Sequence, residues 1–176
     1  MLKLLKHLGQ YFIMMKNVMS KYEKFKFFWK QLLLEIEKVG INSIGIVLFI
    51  SFFVGGVVSI QTAINMSSPL LPKYLVGLAS RDSLILEFSP TMISLILAGK
   101  VGSSIASELG SMRVSEQLDA LEIMGVNSAS FLILPKIIAT IFFFPFLVII
   151  SMGIGMIGAW IGGLSVDVTT ADFLSG

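Results

Sequence analysis

The stretch that decides the fold is VGINSIGIVLFISFFVGGVVSIQTAI, residues 39–64. It contains no charged residue, and the charge-free run continues from Lys38 as far as Lys73. About 20 apolar residues in a helix are enough to cross the hydrocarbon core of a bilayer, which is about 30 Å thick. A second charge-free run, between Lys136 and Asp167, is also longer than that minimum. Both runs therefore predict membrane-spanning helices.

The composition of the 176-residue chain agrees with this prediction. Hydrophobic residues make up 55% of the sequence and charged residues only 14%, and the mean hydropathy is +0.90. Soluble domains are usually about 45–50% apolar and about 25% charged. The fold class that we predict is all-α, a polytopic integral membrane protein.

Residues 1–38 are amphipathic and are predicted to form an interfacial helix region. Apolar residues recur there at helical intervals of three and four. They are Leu5, Leu8, Phe12, Met15 and Met19, followed by Phe25, Phe28, Leu32 and Ile36. Lysines fill much of the remaining surface, so the segment is expected to lie on the membrane with its lysines toward lipid headgroups. The alternative is a helix packed on a soluble partner. The excess of lysine places the N-terminus in the cytoplasm.

The sequence lacks the residues that several classes of function require. The N-terminal lysines are interleaved with apolar residues and no Arg accompanies them, a pattern that argues against nucleic-acid binding. The chain has no Cys and His7 is its single histidine, so neither a zinc site nor a His-based catalytic centre is expected. No phosphate-binding loop is present, because Gly99-Lys100 is followed by Val101. We expect no catalytic residue, no metal and no cofactor.

Residues 39–176 are predicted to form a transmembrane domain with spans at about 39–64, 83–102 and 135–163. The polar residues 65–72 would form a turn on the outer side, and Pro145 is expected to kink the third span. Small residues recur every four positions in each span. They are Ser51, Gly55 and Ser59; Ser94, Ala98 and Gly102; and Gly155, Ala159 and Gly163. Such stripes let helices approach closely, and they predict helix partners beyond this chain.

Glu87 is an ionisable residue inside the second predicted span. Placing a charge within a membrane costs about 2.5–3.5 kcal/mol on insertion scales, so such a residue usually faces a partner, water or a polar substrate group. A purely structural position near the interface is the alternative.

Residues 103–127 are predicted to be a cytoplasmic loop, because two spans precede them. Gly110 is expected to interrupt the helix that enters the loop. Ser115 would cap a second helix of about ten residues, with Glu116 at its first position, where the helix dipole favours an anion. Gly125 would end that helix. One face of it is apolar and consists of Val114, Leu118 and Leu121. A short exposed helix of this kind is either a docking element or a simple connector.

The stretch AGKVGSSIASELGSMRVSEQLDALEIMGV, residues 98–126, resembles the signature of MlaE-type permeases. These are the membrane subunits of bacterial MCE-family lipid transporters. The resemblance extends to Gln61 and Pro135 and covers nearly the whole chain from about residue 35. It implies an interfacial N-terminal helix, five transmembrane helices and a cytoplasmic coupling helix between the second and third of these. Since three spans are found here, we expect the sequence to be incomplete at its C-terminus.

The resemblance also implies a function and a set of partners. Such a subunit forms a homodimer in the bacterial inner membrane and binds a cytoplasmic ABC ATPase, which uses the ATP. It moves phospholipid between that membrane and a periplasmic MCE-domain protein, maintaining outer-membrane lipid asymmetry. The residues alone leave two alternatives, an ion-coupled secondary carrier with Glu87 as its ion site, and a membrane assembly scaffold.

The resemblance assigns candidate site residues. Those for a lipid pocket are Glu87, Pro90 and Gln61. Those for coupling to the ATPase are Glu108, Gly110, Arg113, Val114, Glu116, Leu118, Asp119, Leu121, Glu122 and Gly125, of which Glu116, Asp119 and Glu122 would present acids to the ATPase. Two departures from the family pattern occur. Leu86-Glu87-Phe88-Ser89-Pro90 stands where the family often has Arg-Glu-Leu-Gly-Pro. If the missing arginine holds a lipid headgroup in the family, this protein either does so differently or uses Arg81 in its place. Lys100 replaces an arginine, which keeps the charge but loses bidentate geometry.

Overall fold

The computed structural model describes residues 2–20, 25–67, 72–125, 127–166 and 168–175. No strand occurs in these ranges. The helices are α1 (Leu2–Ser20), α2 (Phe25–Glu35), α3 (Asn42–Asn65), α4 (Tyr74–Ser83), α5 (Ser89–Val114), α6 (Gln117–Ile123), α7 (Ser128–Leu164) and α8 (Thr170–Ser175). Two π-helical segments, π1 (Ile36–Ile41) and π2 (Leu84–Phe88), join α2 to α3 and α4 to α5 without a break.

Three continuous helical segments are long and apolar enough to cross a membrane. They are Phe28–Asn65, Tyr74–Val114 and Ser130–Leu164, with 38, 41 and 35 residues. At a rise of 1.5 Å per residue they are about 57, 62 and 52 Å long, more than the roughly 30 Å of a hydrocarbon core. Only 17% of the most apolar window of the third is buried inside the chain. The prediction of an all-α polytopic membrane protein is confirmed.

The helices extend beyond the predicted span limits. The helix that contains the first span begins at Phe25, and π1 rather than a break marks its junction with the N-terminal region. The helix of the second span begins at Tyr74, and α7 continues unbroken through Pro145, where a kink stays a prediction. Hydropathy indicates which part of a helix suits lipid, whereas backbone hydrogen bonding determines where the helix ends. The limits of the predicted spans therefore differ from those of the helices.

Parts of the predicted loops lie outside the described residues. These are residues 68–71 of the outer turn, Val126 of the cytoplasmic loop, and Asp167 and Gly176 in the polar tail. The remainder of that tail contains the short helix α8, which the sequence did not predict. In the N-terminal region, Leu5, Leu8 and Phe12 form an exposed apolar face on α1. The side chains of Met19 and Phe25 lie outside the described part of the chain.

The chain divides into two compact units, each with its own buried residues. Unit 1 consists of Met1–Ile41 and Val101–Phe143, and unit 2 of Asn42–Lys100 and Phe144–Gly176. The buried apolar side chains of unit 1 are Val18, Leu32, Val39, Val101, Leu132 and Ala139. In unit 2, Val58, Leu84 and Ala159 form a cluster against which Val54, Phe88 and Phe173 pack.

Within unit 2, α3 and α7 touch backbone to backbone. A Cβ atom placed on Gly55 would overlap the carbonyl oxygen of Gly155, and one placed on Gly163 would lie 3.1 Å from the hydroxyl oxygen of Ser59. Two of the predicted small-residue stripes therefore pack on each other. This corrects the prediction that all three stripes imply partners outside the chain. The third stripe on α5 remains exposed at Ser94, Ala98 and Gly102.

Candidate functional site

An apolar cavity of about 480 Å³ lies in unit 2 beside α3. Its lining combines one face of α3 with side chains from α4, π2 and α5. The lining residues are Phe53, Val54, Val57, Val58, Gln61, Thr62, Ser83, Phe88 and Met92. Its volume is within the range of small-molecule sites, about 300–1,000 Å³.

The polar groups of this cavity are few, and two of them lie near the end of α3. The hydroxyl of Thr62 donates a 2.7 Å hydrogen bond to the carbonyl oxygen of Val58, as hydroxyls on apolar helices commonly do. The exposed amide of Gln61 is the longest polar side chain of the lining and can both donate and accept hydrogen bonds. An apolar wall with a small polar patch suits an amphiphilic molecule.

The structure brings only one of the three candidate lipid-pocket residues to this cavity. Gln61 lines it, whereas Glu87 and Pro90 do not. Glu87 lies in π2 with an exposed side chain, and its backbone carbonyl accepts a hydrogen bond from the hydroxyl of Thr91. Its neighbour Phe88 is the residue of π2 that faces the cavity.

The second candidate site is the loop in unit 1 that carries α6. Gly110 does not interrupt α5, which continues to Val114. Ser115 does not cap α6 either, because its hydroxyl donates to the carbonyl oxygen of Ser111 at 2.9 Å. The chain reverses at Glu116, which has a left-handed φ of 57° and no side-chain capping bond. The seven-residue α6 is therefore shorter than the predicted ten residues.

Gly125 ends α6 as the sequence predicted. Its φ of +78° is in the left-handed region, which glycine adopts without steric penalty. Its backbone N–H donates to the carbonyl oxygen of Glu122 at 3.0 Å. This is the glycine stop common at helix C-termini.

Polar side chains fix α6 to both of its flanking helices. Arg113 at the end of α5 pairs with Asp119 on α6 at 2.8 Å. The hydroxyl of Ser128, the first residue of α7, donates to Glu122 at 3.0 Å. Of the three acids expected to face an ATPase, Asp119 and Glu122 thus have partners inside the chain, and Glu116 lies on the exposed turn.

The exposed apolar surface of the loop differs from the predicted face. Leu118 and Leu121 are half-buried, and Val114 belongs to the end of α5 rather than to α6. The most exposed apolar side chains are Val114 and Ile123, each 87% exposed, followed by Met124 at 67%. An apolar surface of this kind on a short, tethered helix can dock in a groove of another protein.

A cluster of four charged side chains lies in the same unit, and the sequence had indicated only one of them. The ammonium of Lys136 on α7 lies 2.7 Å from Glu35 on α2 and 2.6 Å from Glu108 on α5. The second carboxylate oxygen of Glu108 pairs with Lys38 in π1 at 3.0 Å. Glu108, a predicted coupling residue, is therefore held inside the chain by two lysines.

A family model described as Permease MlaE matches residues 32–176. The chain belongs to the MlaE permease family. The match begins within α2 and includes the cavity, the α6 loop and all four residues of the charge cluster. The MlaE-type resemblance carried by residues 98–126 is thereby confirmed.

Individual relatives support the same assignment. A probable ABC transporter permease protein of Rickettsia bellii is 35% identical over 138 residues, 78% of this chain and 53% of the relative. The chloroplastic protein TRIGALACTOSYLDIACYLGLYCEROL 1 of Arabidopsis thaliana is 34% identical over 140 residues, 80% of this chain and 40% of that protein. The intermembrane phospholipid transport system permease protein MlaE of Haemophilus influenzae is 32% identical over 133 residues, 74% of this chain and 49% of the relative. The chain spans about half the length of the curated relatives it matches.

Two lysines of this MlaE-family chain have defined positions. Lys100, which replaces the arginine of the family pattern, donates to the backbone carbonyl of Asn42 at 2.5 Å. A single point-like donor is enough for that contact, which needs no bidentate geometry.

Lys136 could have been singled out from the sequence, because it is a lone charge beside a long apolar run. Nothing in the sequence indicates that Glu35 is its partner.

Proposed function

We propose that this chain is part of the permease subunit of an ABC transporter that moves phospholipid. The observation that carries the proposal is an apolar cavity with a polar patch inside a chain of the MlaE permease family. The similarity to the intermembrane phospholipid transport system permease protein of Haemophilus influenzae supports the choice of substrate. The ATP would be hydrolysed by a separate ABC ATPase chain.

In this proposal the cavity holds part of the phospholipid. Its apolar wall along α3 would contact an acyl chain, and Gln61, Thr62 and Ser83 would contact the polar part of the lipid. Exposed Glu87 would lie outside the cavity and face water, a partner subunit or a headgroup. This arrangement keeps a charged carboxylate away from the acyl chain, where its desolvation would be unfavourable.

The α6 loop is the proposed contact with the ATPase. The exposed side chains of Val114, Ile123 and Met124 would fill an apolar groove, and Glu116 would add a negative charge at the rim. The tethers to Arg113 and Ser128 would let α6 pull on both flanking helices.

The remaining partners follow from the same proposal. The lysine-rich N-terminus would place α6 on the cytoplasmic side of a bacterial inner membrane. An MCE-domain protein would receive or deliver lipid in the periplasm, serving outer-membrane asymmetry. The exposed stripe of Ser94, Ala98 and Gly102 on α5 is suited to close helix packing in a homodimer.

The test is purification of the full-length protein from its native membrane in mild detergent, followed by reconstitution into vesicles. We expect a stoichiometric ATPase with a phosphate-binding loop to co-purify, and vesicles with both subunits to transfer phospholipid only when ATP is supplied. Transport that follows a proton gradient without the ATPase, and that Glu87→Gln abolishes, would instead establish an ion-coupled carrier. No transport under either condition would favour a scaffold.

A further inference from the structure

The charge cluster of Glu35, Lys38, Glu108 and Lys136 joins three helical segments of unit 1, because α2 and π1 are continuous. Glu35 is on α2, Lys38 in π1, Glu108 on α5 and Lys136 on α7. Lys136 is the centre, because its single ammonium contacts both carboxylates. The cluster thus has a fixed order, with Glu35 and Lys136 innermost and Lys38 at the exposed rim.

The inner side chains of the cluster are buried and therefore need charge partners. The side chains of Lys136 and Glu35 are only 2% and 1% exposed, whereas that of Lys38 is 55% exposed. A buried charge without a partner is strongly unfavourable, so the Lys136 ammonium and the Glu35 carboxylate hold each other in place. The two lysines balance the two glutamates, and the cluster as a whole is neutral.

The position of the cluster relative to α6 gives it a second consequence. Glu108 precedes α6 on α5, and Lys136 follows it on α7, 28 positions later. Their 2.6 Å contact therefore closes the loop that carries α6. The contact between Lys136 and Glu35 ties that closed loop to α2, the helix leading into the first span.

We propose that Lys136 is the positioning residue of the α6 loop: its ammonium clamps α5 and α7 to each other and to α2, so that movement of α6 is passed to these helices. The inference rests on the proposed function, because it treats α6 as the element on which the ATPase acts. Lys136 touches neither the lipid cavity nor the exposed surface of α6. Its effect is mechanical and acts through Glu35 and Glu108.

The test uses the full-length protein with its ATPase subunit in lipid nanodiscs and vesicles. The informative variant is the double substitution Glu35→Met/Lys136→Met, which removes both buried charges and leaves Glu108 paired with Lys38. Replacement of a buried ion pair by apolar side chains of similar size usually preserves folding. Lys136→Arg keeps the charge, and Lys30→Met removes an exposed lysine from the same helix α2 as the control.

Two readouts separate positioning from transport. In the first, hydrogen exchange of α6 and the start of α7 should become about tenfold faster in the double variant, because local opening would be about 1.4 kcal/mol easier. In the second, the variant should hydrolyse ATP at a rate close to wild type while it transfers several-fold less lipid per ATP. Lys136→Arg should retain much of the wild-type ratio of lipid transferred to ATP hydrolysed. Lys30→Met should leave both the exchange rates and that ratio unchanged.

Each contrary result has a distinct meaning. Unchanged exchange in α6 would overturn the positioning role, whatever the transport result. Faster exchange with a wild-type ratio of lipid to ATP would make the cluster a stabilising contact only and would also overturn the inference. A wild-type complex without ATP-dependent lipid transfer would refute the proposed function and the transport half of this inference, and the exchange measurement would still decide the structural half.

Discussion

The ammonium nitrogen of Lys136 lies 2.7 Å from a carboxylate oxygen of Glu35, a residue 101 positions earlier in the chain. Both side chains are buried, so this contact fixes the N-terminal helix α2 to the start of α7. Loss of Lys136 would leave the Glu35 carboxylate as an isolated charge in an apolar environment, whereas loss of Glu35 would leave Lys136 paired with Glu108. The first prediction concerns that asymmetry.

Lys136→Met alone should strongly destabilise the protein, because it leaves the Glu35 carboxylate buried and unpaired. Breaking a buried pair in this way typically costs about 3–5 kcal/mol. Thermal unfolding of the full-length protein in detergent measures the loss, with Lys30→Met as the exposed control. Adding Glu35→Met should recover most of the stability. A single variant that unfolds at the wild-type temperature would contradict this stabilising role of Lys136.

Gly55→Ala should weaken the packing of α3 on α7, since its new methyl group would overlap the carbonyl oxygen of Gly155. Gly45→Ala on the same helix is the matched control, because a Cβ atom there meets nothing within 4 Å. The control should be neutral or slightly stabilising, as alanine favours a helix over glycine by about 0.5–1 kcal/mol. Resistance of the detergent-solubilised protein to heat and protease reports both effects. Equal behaviour of the two variants would contradict the close approach.

Met92→Trp should fill the cavity beside α3 and reduce the amount of phospholipid that co-purifies with the full-length protein. The expected reduction is about tenfold, equivalent to about 1.4 kcal/mol of binding free energy. Leu95→Trp adds the same side chain at a position that is 71% exposed and outside the cavity, so it should retain lipid. Native mass spectrometry compares the two. If Met92→Trp retained as much phospholipid as the wild type, the lipid-binding site would lie outside this cavity.

Ile123→Asp should reduce ATPase co-purification at least about tenfold, because a carboxylate in an apolar groove lacks a partner and costs more than about 1.4 kcal/mol. Ile123 is 87% exposed, so folding should be unaffected. Ile123→Leu keeps the apolar surface and should retain the ATPase. If the ATPase co-purified normally with Ile123→Asp, its contact would have to lie on another part of the α6 loop.

The sequence predicted the features that depend on local composition. The charge-free run at residues 39–64 identified a membrane-spanning helix, and the glycine at 125 identified the end of α6, because each signal acts at its own position. Gly110 was misjudged, since the preference of a helix for other residues over glycine is only about 1 kcal/mol. A long helix such as α5 overrides a preference of that size.

The features that depend on distant residues could not be predicted. The sequence reveals a stripe such as Gly155, Ala159 and Gly163, but not that Gly55 of α3 receives it. Lys136 and Glu35 could be matched only once α2 and α7 were seen together. The cavity likewise brings together residues of α3, α4, π2 and α5, so its lining could not be predicted from neighbouring positions in the sequence.

The π-helical segment Leu84–Phe88 has a consequence for how this chain tolerates changes in length. A π turn accommodates one residue more than the α-helical turn, and each residue of an α-helix rotates the following side chains by about 100°. Because the extra residue is taken up within the π turn, removal of one residue from this segment would convert it to ordinary helix and keep the phase of α5 relative to α4. Removal of one residue from the regular helix α4 would instead rotate the side chains that follow by about 100° relative to those that precede. Met92 would then turn away from the cavity although no lining residue had been replaced. The effect of a deletion on the cavity wall therefore depends on whether it falls in the π turn or in regular helix.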